Sequence, residues 1–252
     1  MSFLATHLIG FGARRASSSL PTATYNAVSG WSTAKYLGRT PASNGSATTS
    51  TLSFWIKRGA TGAAHGIMAQ DTSGTGDIFW ARFTAGNTIS HYISGAGTTH
   101  ASSGTYTSTT TWYHIVFALD TTQGTAANRN RIYVNGAEVS YGDSNNYGAS
   151  TAIKMNQTAN AFRFGTDTGV AINGHVAHVH WIDGAQLTPS DFTQAGVGGT
   201  VPKGYTGSFG TNGWLMDFAN SSDIGNDVSG NNLDLTVTGL VAGDVSSQTV
   251  NY

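Results

Sequence analysis

The chain has 252 residues, of which 39% are hydrophobic, 11% aromatic and only 10% charged, with a formal net charge of −1. This hydrophobic content argues against disorder, and the length suffices to bury the core of one large domain. No lysine and arginine cluster exceeds Arg14-Arg15, so neither nucleic acid nor an anionic membrane is an expected partner. The lack of cysteine excludes disulfides, cysteine–zinc sites and thiol nucleophiles.

Residues 1–20 are predicted to form a separate N-terminal arm. Its characteristic side chains are Phe3, Leu4, Leu8, Ile9 and Phe11, followed by Arg14 and Arg15. No basic residue precedes the apolar stretch, and His7 and Gly10 interrupt it, so we do not expect a signal peptide. An exposed tail of this kind would promote aggregation. We therefore expect the arm either to fold back on its own domain or to dock on a neighbouring subunit.

Residues 21–252 are predicted to form one all-β domain. From Leu52 to Arg58, apolar residues alternate with Ser53, Trp55 and Lys57, which is typical of a strand with two distinct faces. Residues 78–93 indicate two short strands around a Gly-Asn turn. The following stretch, 94–111, is nearly all glycine, serine and threonine, and its length predicts a surface loop.

The middle of the chain continues the strand pattern. Residues 112–120 predict a strand, and Asn135-Gly136 between apolar segments predicts a type I′ hairpin, because both turn positions need a positive φ. Residues 162–165 form a short predicted strand. A longer one covers 175–183, with Ala177, Val179 and Trp181 expected on a single face.

One short helix is predicted near the end of the domain. Thr188 is the expected N-cap, Pro189 the first helical residue and Asp191 the acidic member of a capping box, with Phe192 packed on a sheet. Residues 214–218 and 233–237 are predicted closing strands. At least ten short two-faced strands with one small helix indicate a β-sandwich.

Four of these strand segments resemble a known family. They are 53–58, 112–117, 132–136 and 174–179. Together they resemble the laminin-G-like, concanavalin-A-like lectin/glucanase jelly roll. Within that superfamily, the segments 182–192, 213–218 with 227–232, and 3–12 are similar to virion structural proteins of tailed bacteriophages.

The resemblance implies a non-enzymatic virion protein, made in the host cytoplasm and located in the virion. A capsid decoration or head-fibre subunit is expected, anchored by the arm to the major capsid protein or to sister subunits. By analogy it would be a homo-oligomer, for example a trimer. The alternative is a carbohydrate-binding receptor-recognition module of the phage tail or baseplate, with cell-surface glycans as its partners.

Hydrolase activity is not expected. Glycoside hydrolysis needs a pair of carboxylates, and glucanases of this family place them as Glu-x-Asp-x-x-Glu on one strand. This chain has a single glutamate, Glu138. It also lacks a Gly-x-Ser-x-Gly nucleophile elbow that opens a helix.

Two groups of residues are candidate metal ligands, although no cofactor is required. On a regular strand His178 and His180 share one face and could share zinc; the alternative is a sheet surface or a subunit interface that loosens near pH 6. Hard oxygen ligands for calcium occur in one glycine-rich loop, with local turn hydrogen bonding as the alternative. These loop residues are Asp223, Asn226, Asp227 and Asn231.

Two of the six tryptophans are candidate platforms for stacking on sugar rings. Trp55 and Trp80 are not assigned to the inner face of their strands, so we expect them at an exposed aromatic surface. Trp181 and Trp214 lie in core-like patterns.

Overall fold

The structure, a computed structural model, describes residues 20–71, 79–93, 98–142, 147–152, 154–158, 160–167 and 169–252. The arm residues Phe3 to Arg15 therefore lie outside the described residues. None of the helical segments in the described ranges is long and apolar enough to cross a membrane. The strands are β1 (Thr24–Val28), β2 (Tyr36–Arg39), β3 (Thr49–Arg58), β4 (His65–Asp71), β5 (Phe79–Phe83), β6 (Ile89–Ile93), β7 (Thr98–Ala101), β8 (Tyr113–Asp120), β9 (Asn130–Val134), β10 (Ala137–Glu138), β11 (Ala161–Phe164), β12 (Gly174–Asp183), β13 (Thr193–Gly196), β14 (Gly199–Pro202), β15 (Trp214–Met216), β16 (Thr236–Thr238) and β17 (Val245–Thr249).

Two antiparallel sheets pack face to face, which confirms the predicted β-sandwich. The covered sheet has the order β10-β9-β8-β3-β12-β1-β17, with β15 also paired to β12. The open sheet has the order β16-β2-β11-β4-β5-β6-β7. Between them lies the main core, which includes Phe54 from the covered sheet and Phe83 and Phe164 from the open sheet. Burial of this apolar surface is the main stabilising contribution to the fold.

Several predicted elements are found where the sequence placed them. The segment 52–58 lies within β3, and Leu52, Phe54 and Ile56 point into the main core. Asn135 and Gly136 have φ values of 51° and 84°, as the type I′ hairpin requires. The loop predicted over 94–111 is wrong in part, because β7 forms there and pairs with β6. Threonine, abundant in this stretch, favours strands as well as polar loops.

A third layer covers the outer face of the covered sheet. Phe192 and Phe209 pack there on Val116 and Ile182. The predicted helix that introduces Phe192 is a single 3-10 turn, Pro189–Asp191. The Thr188 backbone N–H donates to Asp191 Oδ2 at 2.9 Å, as in a capping box.

Strand β12 carries a bulge, and residues before the bulge lie on the opposite sheet face from the one predicted. The pairing with β3 shifts register between Ala177 and His180, and His178 has a φ of 45°. The extra residue leaves Val179 and Trp181 in the main core but places Ala177 on the outer face, against Trp55. The prediction that Ala177 shares a face with Val179 and Trp181 is therefore wrong, because strict alternation does not continue through a bulge.

Candidate functional site

Trp55 is fully buried, so its prediction as an exposed platform is wrong. Its ring lies 4.9 Å from that of His114 and 5.3 Å from that of Tyr252. Tyr252 is held in place by a pair of backbone hydrogen bonds with Thr200 of β14. Trp55 does point away from the main core, as predicted, but the end of the chain covers it.

Trp80 lies half-exposed on the outer face of the open sheet. Tyr92, its direct partner on β6, presents a ring 5.7 Å away and inclined by 16°. The Arg82 guanidinium lies 3.9 Å from the Trp80 ring centroid. These three side chains form a continuous stack of aromatic and cationic planes, an arrangement stabilised by π stacking and cation–π attraction.

A buried carboxylate fixes the position of Arg82. Arg82 Nη2 lies 3.1 Å from Oδ2 of Asp167, whose side chain is only 2% exposed. The other carboxylate oxygen of Asp167 accepts the backbone N–H groups of Gly169 and Val170 at 3.0 Å each. Because Asp167 is held by its own loop, Arg82 and with it the Trp80 ring are preorganised.

The same sheet face continues into a shallow groove of about 270 Å³ beside Tyr36 and Arg163. The Arg163 guanidinium lies 4.9 Å from the Tyr36 ring centroid. Gly38 leaves the floor of this groove without a side chain. A Cβ there would come within 3.1 Å of the Phe162 carbonyl oxygen and 3.4 Å of the Tyr36 ring. Thr236 and Thr238 of β16 form its other wall.

Strand register places these parts in one row across the sheet. Gly38 pairs with Arg163, Arg163 with Ala69, Ala69 with Trp80 and Trp80 with Tyr92. This row crosses four inter-strand spacings, or about 19 Å at about 4.8 Å each. We call the surface formed by Tyr36, Arg163, Trp80, Arg82 and Tyr92 the Trp80 face. It offers aromatic rings for apolar contact and guanidinium groups for hydrogen bonding along an extended path.

The sequence contained only part of the signal for this face. Alternation within β5 places Trp80 and Arg82 on the same side of the strand. The sequence could not predict that Tyr36 and Arg163 lie on the same surface, since β2 and β11 are neighbours in the sheet but far apart in the chain.

His178 and His180 lie on the outer side of β12, within the layers of the chain itself. Their ring centroids are 6.1 Å apart. His180 packs 4.9 Å from the ring of Phe192, and His178 lies 4.9 Å from that of Tyr25. Among the described residues, no group of three histidine or acidic side chains is arranged to hold a metal ion.

Burial keeps the histidines of this layer uncharged. Desolvation lowers the pKa of His114 to about 3. It lowers the pKa of His178 to about 4, although the nearby Asp217 acts in the opposite direction. The pKa of His180 is also lowered well below its usual value, first by desolvation and then by its histidine neighbours. Burial in low dielectric disfavours the charged imidazole in each case.

The candidate calcium loop is organised around Asp227. One carboxylate oxygen accepts the backbone N–H groups of Leu215 and Ser229, and the other accepts Leu233 N–H and the Ser229 hydroxyl, at 2.8–2.9 Å. Asn231 donates to the carbonyl oxygens of Gly210 and Gly213. Asp223 and Asn226 contribute backbone hydrogen bonds to the same loop. Hydrogen bonds within the protein, some to neighbouring turn residues and some to the more distant Leu215, Gly210 and Gly213, thus account for Asp227 and Asn231, and calcium binding here stays a prediction.

A family model for the concanavalin A-like lectin/glucanase superfamily, of the laminin G type, matches residues 32–191. This match covers more than half of the chain. The chain belongs to this superfamily. The match runs from the start of the open sheet to the 3-10 turn at Pro189, so it contains most of both sheets. No curated protein sequence matches the chain significantly.

Comparison with solved structures finds similar chains at low sequence identity. A "putative carbohydrate binding protein" from Bacteroides ovatus is 14% identical, with a TM-score of 0.62 over 92% of this chain and 62% of that one. This chain thus spans less than two thirds of that protein. A pentraxin from Limulus polyphemus is 15% identical, with a TM-score of 0.48 over 66% and 79% of the two chains. A Ruminococcus gnavus sialidase module bound to sialyllactose is 10% identical, with a TM-score of 0.43 over 62% and 89%.

Proposed function

We propose that the domain is a carbohydrate-binding module that holds a short oligosaccharide on its Trp80 face. The observation that carries this proposal is the partly exposed Trp80–Tyr92 pair, on a sheet face where none of the residues that the structure describes forms a third layer. Aromatic rings offer a flat apolar surface to the C–H faces of sugar rings. The 19 Å row suits a short oligosaccharide better than a single sugar unit.

The flanking arginines add hydrogen-bond donors to this surface. A guanidinium presents five N–H groups in a rigid plane and stacks on aromatic rings. Arg82 and Arg163 each lie over such a ring, so their donors are directed across the face at little entropic cost. The description of the Bacteroides ovatus protein as carbohydrate binding agrees with this assignment.

The proposed role is binding without catalysis. Glu138, the single glutamate of the chain, lies in β10 at the edge of the covered sheet and 3.9 Å from Arg131. It is therefore on a different sheet from the Trp80 face. Without a second glutamate, the paired carboxylates of the glucanase motif cannot form.

The test is a glycan array followed by calorimetry on Trp80→Ala. We expect at least one oligosaccharide to bind, and the variant to bind it about tenfold more weakly or worse, since loss of a central aromatic contact exceeds about 1.4 kcal/mol. Tyr205→Ala is the matched control, because Tyr205 is a half-buried aromatic side chain of the third layer. The absence of any glycan binding, with or without calcium, would refute the proposal.

A virion role is compatible with glycan binding and is the second proposal. It is supported by the resemblance of segments 3–12, 182–192 and 213–218 to tailed-phage structural proteins. In this role the arm carrying Phe3, Leu4 and Leu8 anchors the domain to the major capsid protein or to sister subunits. The Trp80 face would then be displayed for glycans at the host surface.

Deletion of residues 2–15 tests the anchoring role of the arm. The truncated domain should keep its melting temperature and its glycan affinity but fail to coat particles. Decoration is measured by sedimentation with purified particles, with the full chain as the control. Coating by the truncated domain at the affinity of the full chain would show that the arm is not the anchor.

A further inference from the structure

A second cleft lies on the opposite side of the molecule from the Trp80 face. Its volume is about 490 Å³, within the range of small-ligand sites. Its lining comes from four separate parts of the chain, represented by Lys57, Trp112, Asn135 and Asn251. We call it the Trp112 cleft.

Tyr252 forms a preorganised wall of this cleft. Its backbone pairs with Thr200 through hydrogen bonds of 2.9 and 3.1 Å. One side of its ring rests on Trp55 and is parallel to His114 within 5°. The Asn135-Gly136 turn approaches it closely, since a Cβ at Gly136 would lie 3.1 Å from the Tyr252 hydroxyl. The wall is therefore rigid before any ligand arrives.

The polar groups of the cleft are fixed through one atom each. Asn135 Oδ1 accepts the His114 backbone N–H at 2.8 Å, which leaves its amide N–H₂ for a ligand. Asn251 Nδ2 donates to the Gly198 carbonyl at 3.2 Å, which leaves its carbonyl oxygen. Lys57 Nζ donates to Gln248 Oε1 at 2.8 Å and lies 5.5 Å from the Trp112 ring centroid. An ammonium has three donors, so Lys57 retains two.

We propose that the Trp112 cleft is a second binding site, for one or two neutral sugar units. Paired amide donors and acceptors match the hydroxyl groups of a sugar, and the Tyr252 ring provides the apolar contact. Among the described residues that line the cleft, none has a side-chain carboxylate, so this donor set does not suit a hard cation. With the Trp80 face on the other side of the sandwich, the domain could bridge two glycans. The site itself does not depend on the Trp80 face.

The experiment is NMR titration of the full chain with neutral monosaccharides and their β1,4-linked dimers, chosen from glucose, galactose, mannose and N-acetylglucosamine. We expect at least one sugar to shift the Trp112 indole N–H signal in wild type and in Trp80→Ala alike. Asn251→Ala should weaken this binding at least fivefold. Asn220→Ala, an exposed asparagine elsewhere, is the matched control.

Lys57→Gln provides a second variant, since Lys57 is partly exposed and its loss leaves the core intact. It too should weaken binding. The proposal is overturned if no sugar shifts Trp112 at millimolar concentrations, or if both variants bind as wild type does. Loss of the Trp112 response in Trp80→Ala would also overturn it, because the two sites would then not be separate. Failure of oligosaccharide binding at the Trp80 face leaves this measurement unaffected.

Discussion

Asp227 shows how one side chain organises a loop without regular secondary structure. Its buried carboxylate gathers four hydrogen bonds from three positions of the chain, Leu215, Ser229 and Leu233. Hydrogen bonds to an ionised group are among the stronger ones in proteins, at about 1.5–3 kcal/mol each. The loop therefore depends on this residue for its shape.

Asp227→Ala should lower the free energy of unfolding by about 3 kcal/mol, because it leaves the buried N–H of Leu215 and the part-buried N–H groups of Ser229 and Leu233 without their acceptor. Asp227→Asn keeps one acceptor oxygen and should cost roughly half as much. Asp223→Ala, at an exposed position of the same loop, should stay within about 0.5 kcal/mol of wild type. Urea denaturation measures all three, and an unchanged Asp227→Ala midpoint would contradict this role.

The same variants test the proposed calcium site. If Asp223 and Asp227 bind calcium, the ion raises the melting temperature of wild type, and Asp223→Ala abolishes that increase. A melting temperature that is independent of calcium would show that the loop is held by hydrogen bonds within the protein alone.

For single residues, the sequence predicted the direction of a side chain better than its exposure to solvent. Trp55 and Trp80 both point away from the main core, as strand alternation suggested. Their environments differ because Tyr252, almost 200 positions later, covers Trp55. Local alternation carries no information about such a distant contact.

At the scale of elements, the third layer buries the histidines of the covered sheet. His180 lies against Phe192 and Phe209, and His114 donates to or accepts from Ser53 Oγ at 2.9 Å. The sequence-based hypothesis placed His178 and His180 on a sheet surface or at a subunit interface. The structure places them instead between layers of one chain, so their protonation acts on folding.

The domain should lose stability as the pH falls below about 6.5. The pKa values of His114 and His178 are depressed to about 3 and about 4 in the folded state, so the unfolded chain binds more protons below its own pKa of about 6.5. The contribution of these buried histidines to the free energy of unfolding is fully present above that pH and decreases as the pH falls toward 4. Each of the two histidines should cost about 2–3 kcal/mol at about pH 4.5.

His180→Leu should reduce this acid sensitivity, because His180 is buried among aromatic rings and its pKa is also lowered by burial. Melting temperatures from pH 4 to 8 measure the effect. The control is His175→Gln, at a less buried position of the same strand. Parallel pH profiles for wild type and His180→Leu would contradict a role of this histidine.

The positions of the strands were largely predictable from the sequence, but the sheet face on which each side chain lies was not always predictable. Alternation found β3 and β8, the Gly-Asn turn located β5 and β6 on either side of it, and Asn135-Gly136 fixed the hairpin. The bulge at His178 was not predictable. On the edge of β12 opposite β3, the paired strand changes there from β1 to β15, and this change depends on strands that are distant in the chain. One inserted residue then moves Ala177 to the other face.

At the scale of the whole molecule, the two sheets have different outer surfaces. The covered sheet carries Phe192, Phe209 and Tyr252 as a third layer, whereas the open sheet presents Trp80, Tyr92 and two arginines directly. The number of strands predicted the sandwich. Which sheet is covered follows from long-range contacts of residues 185–213 and of the last three residues, which no local pattern specifies.

The central claim is that the Trp80 face binds an oligosaccharide, and the indole N–H signals of the six tryptophans test it most directly. During titration with an oligosaccharide identified on a glycan array, the Trp80 signal should shift in proportion to occupancy. Trp181 and Trp214 are buried in the main core, so their signals should stay in place. Saturable binding of the oligosaccharide that leaves the Trp80 signal unmoved would contradict the account.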